Sequence, residues 1–396
     1  MTSVSQVAVY LPEVEFYSAR SGGALATWTY QVYRRLAKSS PAVVLGPETS
    51  GGYEIPKLYS VRGSSLCRFF NTGLVGRSFR GWLSPLKRWL RQSYARQAAA
   101  RLADLNCQVI HVHNDPEAVV PIRRRNPQAI IVLHMNNDHL IEGHIFESAS
   151  SAVRAADRVA FCSQYVMAGA LAKVPGLRRD QCFVIHNGAD LPVASNQSAD
   201  TYKSENGPVI LFVGRIVEAK GLHVLLAALP QVLARFPSAT LRIVGGVRFG
   251  SSEVDPYLEC LHKQASPLGD RVEFVGPVAH TEIGRHFQAA DVFVCPSLWN
   301  DPFPLVNLEA MGAGVPVVAF ARGGIPEALG DAGLVVSEAA AVPLAAALIR
   351  ILADQKLRCE LARRGRERVA RHFTWDVIAG QWQGRLEQWI GMNSRS

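Results

Sequence analysis

Short apolar runs recur along the 396-residue chain, each bounded by turn residues and followed by a stretch of helical length. The pattern predicts strands at Val7–Leu11, Ala42–Leu45, Val109–Val112, Ala129–Leu133, Val159–Cys162 and Cys182–Ile185 in the first half. In the second half it predicts Val209–Val213, Thr240–Val244, Val272–Val275, Val292–Cys295, Val315–Ala319 and Leu334–Val336. Strands alternating with helices point to parallel α/β architecture. Two sets of six predict two doubly wound domains, since a closed barrel needs eight repeats. The polar run from Ser195 to Pro208 reads as a linker. The expected layout is therefore a first domain over 1–195, a linker over 196–208 and a second domain over 209–374. The remaining segment, 375–396, carries apolar and aromatic positions at helical spacing as far as Ile390.

Open α/β sheets bind ligands outside the C-terminal ends of their strands, where the strand order switches. The richest strand end here is Pro296 to Ala319, PSLWNDPFPLVNLEAMGAGVPVVA. It reads as strand end, loop, helix, glycine break and buried strand. Asp301 lies in the loop and Glu309 farther along the helix. Pro304 suits a first helical position, which leaves the N–H groups of Leu305 and Val306 free beside Asp301. Such a helix end favours a phosphate, and flanking carboxylates can hold sugar hydroxyls. Taken alone, the same two acids are equally an N-terminal cap and a solvated helix residue.

A second strand end, GRIVEAKG at 214–221, sets two cations five positions apart at the mouth of a helix. Arg215 offers a fork for phosphate oxygens and Lys220 a mobile point charge. A plain surface ion pair is the competing account. Gly22-Gly23 opens the helix after the first strand, a weak signal that a simple turn also explains. Ile110-His111-Val112-His113-Asn114-Asp115 and Leu133-His134-Met135-Asn136-Asn137-Asp138 end neighbouring strands with His and Asn. The H-x-H spacing is set aside as a metal pair, on the argument that alternate strand residues point to opposite faces and no third ligand is evident.

Composition narrows the class. Hydrophobic residues make up 48% and charged residues 19%, which fits a folded globular protein. Seven scattered cysteines without a C-x-x-C pair argue against a disulfide framework or a zinc site. The first strand follows almost at once, with no basic leader and no membrane-length apolar run, so a cytoplasmic protein is expected. The net charge of +9 is concentrated: residues 55–103 hold ten Lys and Arg and no acid, leaving about −1 for the rest. Phe69, Phe70, Phe79, Trp82, Trp89 and Tyr94 interleave with them. An ordinary basic helix pair, a polyanion-binding face and a patch on an anionic membrane surface all remain open. Nucleic acid is not expected, because no binding motif accompanies the patch.

The run from Pro296 to Ala319 resembles the P-S-x-x-E-P-F-x-x-x-x-x-E-A-M-A-x-G-x-P-V-V-A signature of the retaining glycosyltransferases of family four, which have the GT-B fold. GRIVEAKG resembles that family's G-R-x-x-x-x-K-G. The resemblance spans most of the chain, is strongest from Val209 to Glu327, and leans toward the spore-coat or cell-surface branch. It implies two Rossmann-like domains facing a central cleft, donor on one side and acceptor on the other, with the last helix crossing back to the first domain. It implies transfer of a hexosyl unit, with retention, from a UDP- or GDP-linked sugar to a glycan or lipid-linked acceptor. Arg215 and Lys220 would neutralise the diphosphate, Asp301 hold the sugar, Glu309 the ribose, and His134 lie near the reacting centre. Gly22, Gly23 and Gly245 would lie near the phosphates, and Val278, in Gly276-Pro277-Val278, near the base. Two positions depart from the pattern. Asp301 replaces Glu, and Pro304 replaces Gly, removing a backbone donor. No D-x-D triplet occurs, so neither a metal nor another cofactor is expected. A hydrolase or epimerase of the same fold and a non-catalytic sugar-nucleotide binder stay open; a dehydrogenase is disfavoured because no G-x-G-x-x-G follows the first strand.

Overall fold

A computed structural model describes residues 7–18, 23–49, 51–61, 84–141, 146–191, 207–247 and 255–393. The chain divides into two compact units, Met1–Asn187 with Trp375–Ser396, and Gly188–Thr374. The boundary thus falls at Asn187–Gly188. Most of the expected linker, up to residue 206, lies outside the described residues, as do Gly22 and residues 62–83 of the basic stretch.

The first unit holds a seven-stranded sheet of β1 (Val7–Tyr10), β2 (Ala42–Pro47), β3 (Lys57–Val61), β4 (Val109–His113), β5 (Ile130–Met135), β6 (Arg158–Phe161) and β7 (Cys182–Val184). Its order is β3-β2-β1-β4-β5-β6-β7, and every pairing is parallel. The second unit holds β8 (Val209–Val213), β9 (Thr240–Val244), β10 (Val272–Gly276), β11 (Val292–Cys295), β12 (Val317–Phe320) and β13 (Gly333–Val336), ordered β10-β9-β8-β11-β12-β13. Central strands such as β1, β4, β8 and β11 are buried along their whole length, as parallel strands covered by helices on both faces must be. In each sheet the order reverses beside the first strand, between β1 and β4 and between β8 and β11. Those two points are where the crossover helices part and leave the strand ends open.

β3 was not anticipated. Its sequence, Lys57-Leu58-Tyr59-Ser60-Val61, is exposed or half-buried except at Val61, so it lacks the continuous apolar run of its neighbours. It adds an edge strand to the basic stretch. Among the described residues that stretch is an edge strand and one helix, Ser84–Leu105. Within the helix Tyr94 is buried and its hydroxyl donates to Leu11 O at 3.1 Å, whereas Trp89 is 57% exposed.

The first helix, Ala24–Arg35, packs Trp28, Val32 and Tyr33 into the core. The terminal helix, Trp375–Asn393, lies against it. Trp382 is fully buried, its ring 5.5 Å from that of Trp28 and 5.7 Å from that of Trp389. Arg35 pairs with Asp376 at 2.9 Å on the rim of the same contact. Aromatic burial of this size dominates such a junction, with the exposed ion pair adding little. None of the described helices is long and apolar enough to cross a membrane.

Candidate active site

In the 188–374 unit the loops after β8 and β11 are tied together. Leu298 N–H donates to Ala219 O at 2.9 Å. Gly221 is left-handed (φ 68), and a Cβ there would lie 1.9 Å from Pro296 O, so only glycine lets the two loops approach. This approach sets Lys220 Nζ 2.5 Å from Asp301 Oδ2, the two side chains only 19% and 9% exposed. Lys220 Nζ also lies 5.5 Å from the centre of the Trp299 ring. A second loop fixes the acid's main chain: Gly324 N–H donates to Asp301 O at 2.8 Å. Gly323 (φ 55) sits so close that a Cβ would lie 2.3 Å from that oxygen. Arg215 is exposed, and among the described residues its guanidinium has no hydrogen-bond or ion-pair partner. A free fork and a paired lysine thus stand at one switch point, the chemistry needed for a polyanion.

The helix after Asp301 runs Leu305–Gly312, with Pro304 as its N-cap. Pro304 is therefore one position outside the expected first helical place, in extended backbone that suits a residue before the helix proper. Leu305 and Val306 supply the first amides, which lack intrahelical acceptors. Leu305, Val306 and Glu309 are half-buried, while Asn307, Leu308 and Ala310 are buried, so Glu309 shares the more open face with the helix start. Gly245 follows β9 and donates its N–H to Gly276 O at 2.9 Å. Val278, two residues after β10, is half-buried. The structure brings Lys220, Asp301 and the Gly323-Gly324 turn into direct contact; Gly245 and Val278 stand at the ends of β9 and β10.

The 1–187 unit places its candidates differently. Gly23 caps the first helix, but its N–H donates to Glu15 Oε1 at 2.7 Å, and Ala26 N–H donates to the same oxygen at 2.9 Å. The carboxylate of Glu15 thus fills the helix end that a phosphate was expected to take. Burial pushes its carboxyl above the ordinary range, opposed by the two amides. Nothing in the spacing of Glu15 and Gly23 signalled this contact.

His134 lies near the end of β5 and is fully buried. So are His111 and His113, and the expectation that an H-x-H pair splits across the sheet is corrected. Residues i and i+2 share a face, and all three imidazoles gather under Trp28 and Trp382. His111 and His113 centroids are 4.1 Å apart, His113 and His134 5.0 Å. Burial holds His134 down to about 3 and its two neighbours well below the usual histidine range, so all three are neutral at physiological pH. His134 is placed as a core residue with no exposed atom surface of its own. Elsewhere in the unit Tyr10 donates to Asp115 at 2.7 Å, and burial raises the Asp115 carboxyl.

Two parallel, doubly wound sheets with open switch points define a GT-B fold. The HepE protein of Anabaena, solved with UDP and also with UDP-glucose, shares it: TM-score 0.74 at 21% identity for the UDP complex, covering 97% of this chain and 100% of that one. The family model for glycosyl transferases group 1 matches residues 194–368, and that for glycosyltransferase family 4 matches 22–192. The putative glycosyltransferase YtcC of Bacillus subtilis is 30% identical over 73% of this chain and 74% of its own. Spore coat protein SA of the same organism is 28% identical over 72% and 80%. The chain belongs to glycosyltransferase family 4.

The buried pair makes two variants informative. Lys220→Ala strands the Asp301 carboxylate and is expected to lower stability by about 3 kcal/mol. Lys220→Ala with Asp301→Asn should recover much of that loss in urea denaturation. Gly221→Ala, which drives a Cβ into Pro296 O, is expected to cost more than about 2 kcal/mol by the same measurement.

Proposed function

We propose that the protein is a retaining hexosyltransferase that takes its sugar from a UDP- or GDP-linked donor. The observation that carries this reading is the set at the β8–β11 switch point: Arg215, unpartnered among the described residues, the Lys220–Asp301 pair, and the open amides of Leu305 and Val306. It supports a site for a diphosphate flanked by hydroxyl-binding acids. Donor binding converts the pair. The diphosphate offers Lys220 more charge than a single carboxylate does, and Asp301 is then free to accept hydrogen bonds from the sugar. Glu309 takes the ribose.

Transfer on this reading breaks the bond between the anomeric carbon and the phosphate oxygen. The acceptor hydroxyl bonds to that carbon from the same face, and its proton passes to the departing phosphate. Arg215, Lys220 and the helix amides stabilise the negative charge that grows on the leaving group, where such groups accelerate the step most. These cations stand where other glycosyltransferases use a metal, so a chelator is expected to leave transfer unchanged. Arg215→Ala, on an exposed side chain without a partner among the described residues, is expected to lower kcat/KM about 100-fold with unfolding unaltered. Near-normal turnover in that variant would remove Arg215 from the mechanism.

The acceptor on this reading is a glycan or lipid-linked sugar of cell-surface polysaccharide synthesis. The ten basic residues of 55–103, with exposed Trp89 on the Ser84–Leu105 helix, support contact with an anionic membrane face. Co-sedimentation with anionic liposomes should be strong at low salt and weaken as salt rises. Equal binding to neutral liposomes would count against the charge-based contact.

A further inference from the structure

Trp299 stands two residues before Asp301, and the main chain holds it on both sides. Its N–H and that of Leu298 both donate to Ala219 O, at 3.4 and 2.9 Å, while its carbonyl accepts from Asp301 N–H at 2.9 Å. The residue after Ala219 is Lys220, whose Nζ lies 5.5 Å from the centre of the Trp299 ring. That distance is within the range of a cation–π contact. The loop tie that brings Lys220 to Asp301 therefore places the indole as well.

The polar edge of the ring is unsatisfied. Trp299 Nε1 is buried and has no hydrogen-bond partner among the described residues. An indole nitrogen can only donate. Buried indole N–H groups ordinarily find an acceptor, because one left without it carries the full cost of desolvation. Asp301, the nearest acid in sequence, does not serve: its Oδ2 is engaged by Lys220 Nζ, and neither of its oxygens takes the indole proton. Asn307 also has buried side-chain atoms without a partner, but it is wholly enclosed, at 0% exposure. Trp299 as a whole is half-buried, so its ring borders an opening that Asn307 does not.

A ligand oxygen supplies what the loop lacks. An anionic oxygen that takes Lys220 from Asp301 bonds Nζ at about 2.8 Å. It then stands roughly halfway along the span from the ammonium to the ring centre, a gap that the N–H edge can close. A hydrogen bond to an ionised acceptor is about twice as strong as one between neutral groups. The donor stranded in the free protein thus becomes a favourable contact once the anion is in place.

We infer that Trp299 binds the donor substrate directly: its indole N–H donates to the diphosphate oxygen that Lys220 takes up. The ring face keeps the ammonium in place as Asp301 turns to the sugar. This rests on the donor reading above, and every group it uses belongs to the 188–374 unit.

NMR of the full-length protein carrying 15N-indole tryptophan tests this. The chain has seven tryptophans, and Trp299→Phe assigns the Trp299 signal by its loss. UDP or GDP, whichever calorimetric titration shows to bind, should move the Trp299 indole proton downfield, as a newly formed hydrogen bond does. The corresponding free nucleoside should leave it in place. Trp299→Phe keeps an aromatic face and removes the N–H, so it should lower affinity for the nucleoside diphosphate about tenfold. Trp299→Leu, which removes the face too, should lower it further. An indole resonance that stays in place at saturating nucleoside diphosphate overturns the inference, and this readout needs no variant beyond the assignment. Wild-type affinity in Trp299→Phe overturns it as well, and so does a shift that the nucleoside alone reproduces. In each of those results the nucleotide is bound, so the donor reading stands. If neither UDP nor GDP binds, the contact and the donor reading fall together.

Discussion

A parallel strand cannot turn directly back, so each one must be followed by a crossover that packs a helix on one face of the sheet. That constraint governs both units. Where successive crossovers go to opposite sides, as beside β1 and β8, the strand ends are left uncovered by backbone. Arg215, Lys220 and Asp301 of the 188–374 unit stand at such an end, with Gly245 and Val278 at the ends of the strands beyond β8. Arg215 and Lys220 follow β8, Gly245 follows β9, Val278 follows β10 and Asp301 follows β11. The chemistry is distributed along the sequence, over more than eighty residues between Arg215 and Asp301, yet the sheet order makes β8 and β11 neighbours.

Proximity at that point is achieved by removing side chains. Gly221 and Gly323 each stand where a Cβ would strike the backbone of the Pro296–Asp301 loop. The result is a lysine and an aspartate buried together. Such a pair is costly to desolvate and costly to break from one side. It fits a site that must hold its charges in place before a ligand arrives and then exchange one partner for another. The shorter side chain at 301 bears on this. With one methylene fewer than glutamate, the carboxylate is held back beside Lys220, a geometry in which the cation and the acid define each other's position.

The parts legible in the sequence were those with a strong local signature. Twelve apolar runs announced twelve strands, most plainly the central ones, which are buried on both faces. The Lys220 and Asp301 strand ends were legible from turn glycines and charge placed after such runs. β3 was not, since an edge strand bearing Lys57 and Ser60 on its exposed positions carries no continuous apolar run. The histidine cluster was misjudged by a face argument that holds for adjacent residues but not for His111 and His113, two apart. Glu15 was invisible for a different reason. Its contact with the first helix joins residues eight apart in sequence, and no local rule fixes that pairing.

The first unit shows how a residue far along the chain can set the chemistry of another. Trp382 lies on the terminal helix, some 250 residues after His134, and it reaches the imidazole only through Tyr33 and His111. The link is directional because it begins at a group that cannot accept. Burial then removes the alternative of protonation, as the depressed histidines show. The terminal helix is therefore more than a clasp on the first unit, since the Trp382 indole N–H opens the hydrogen-bonded series that ends at His134.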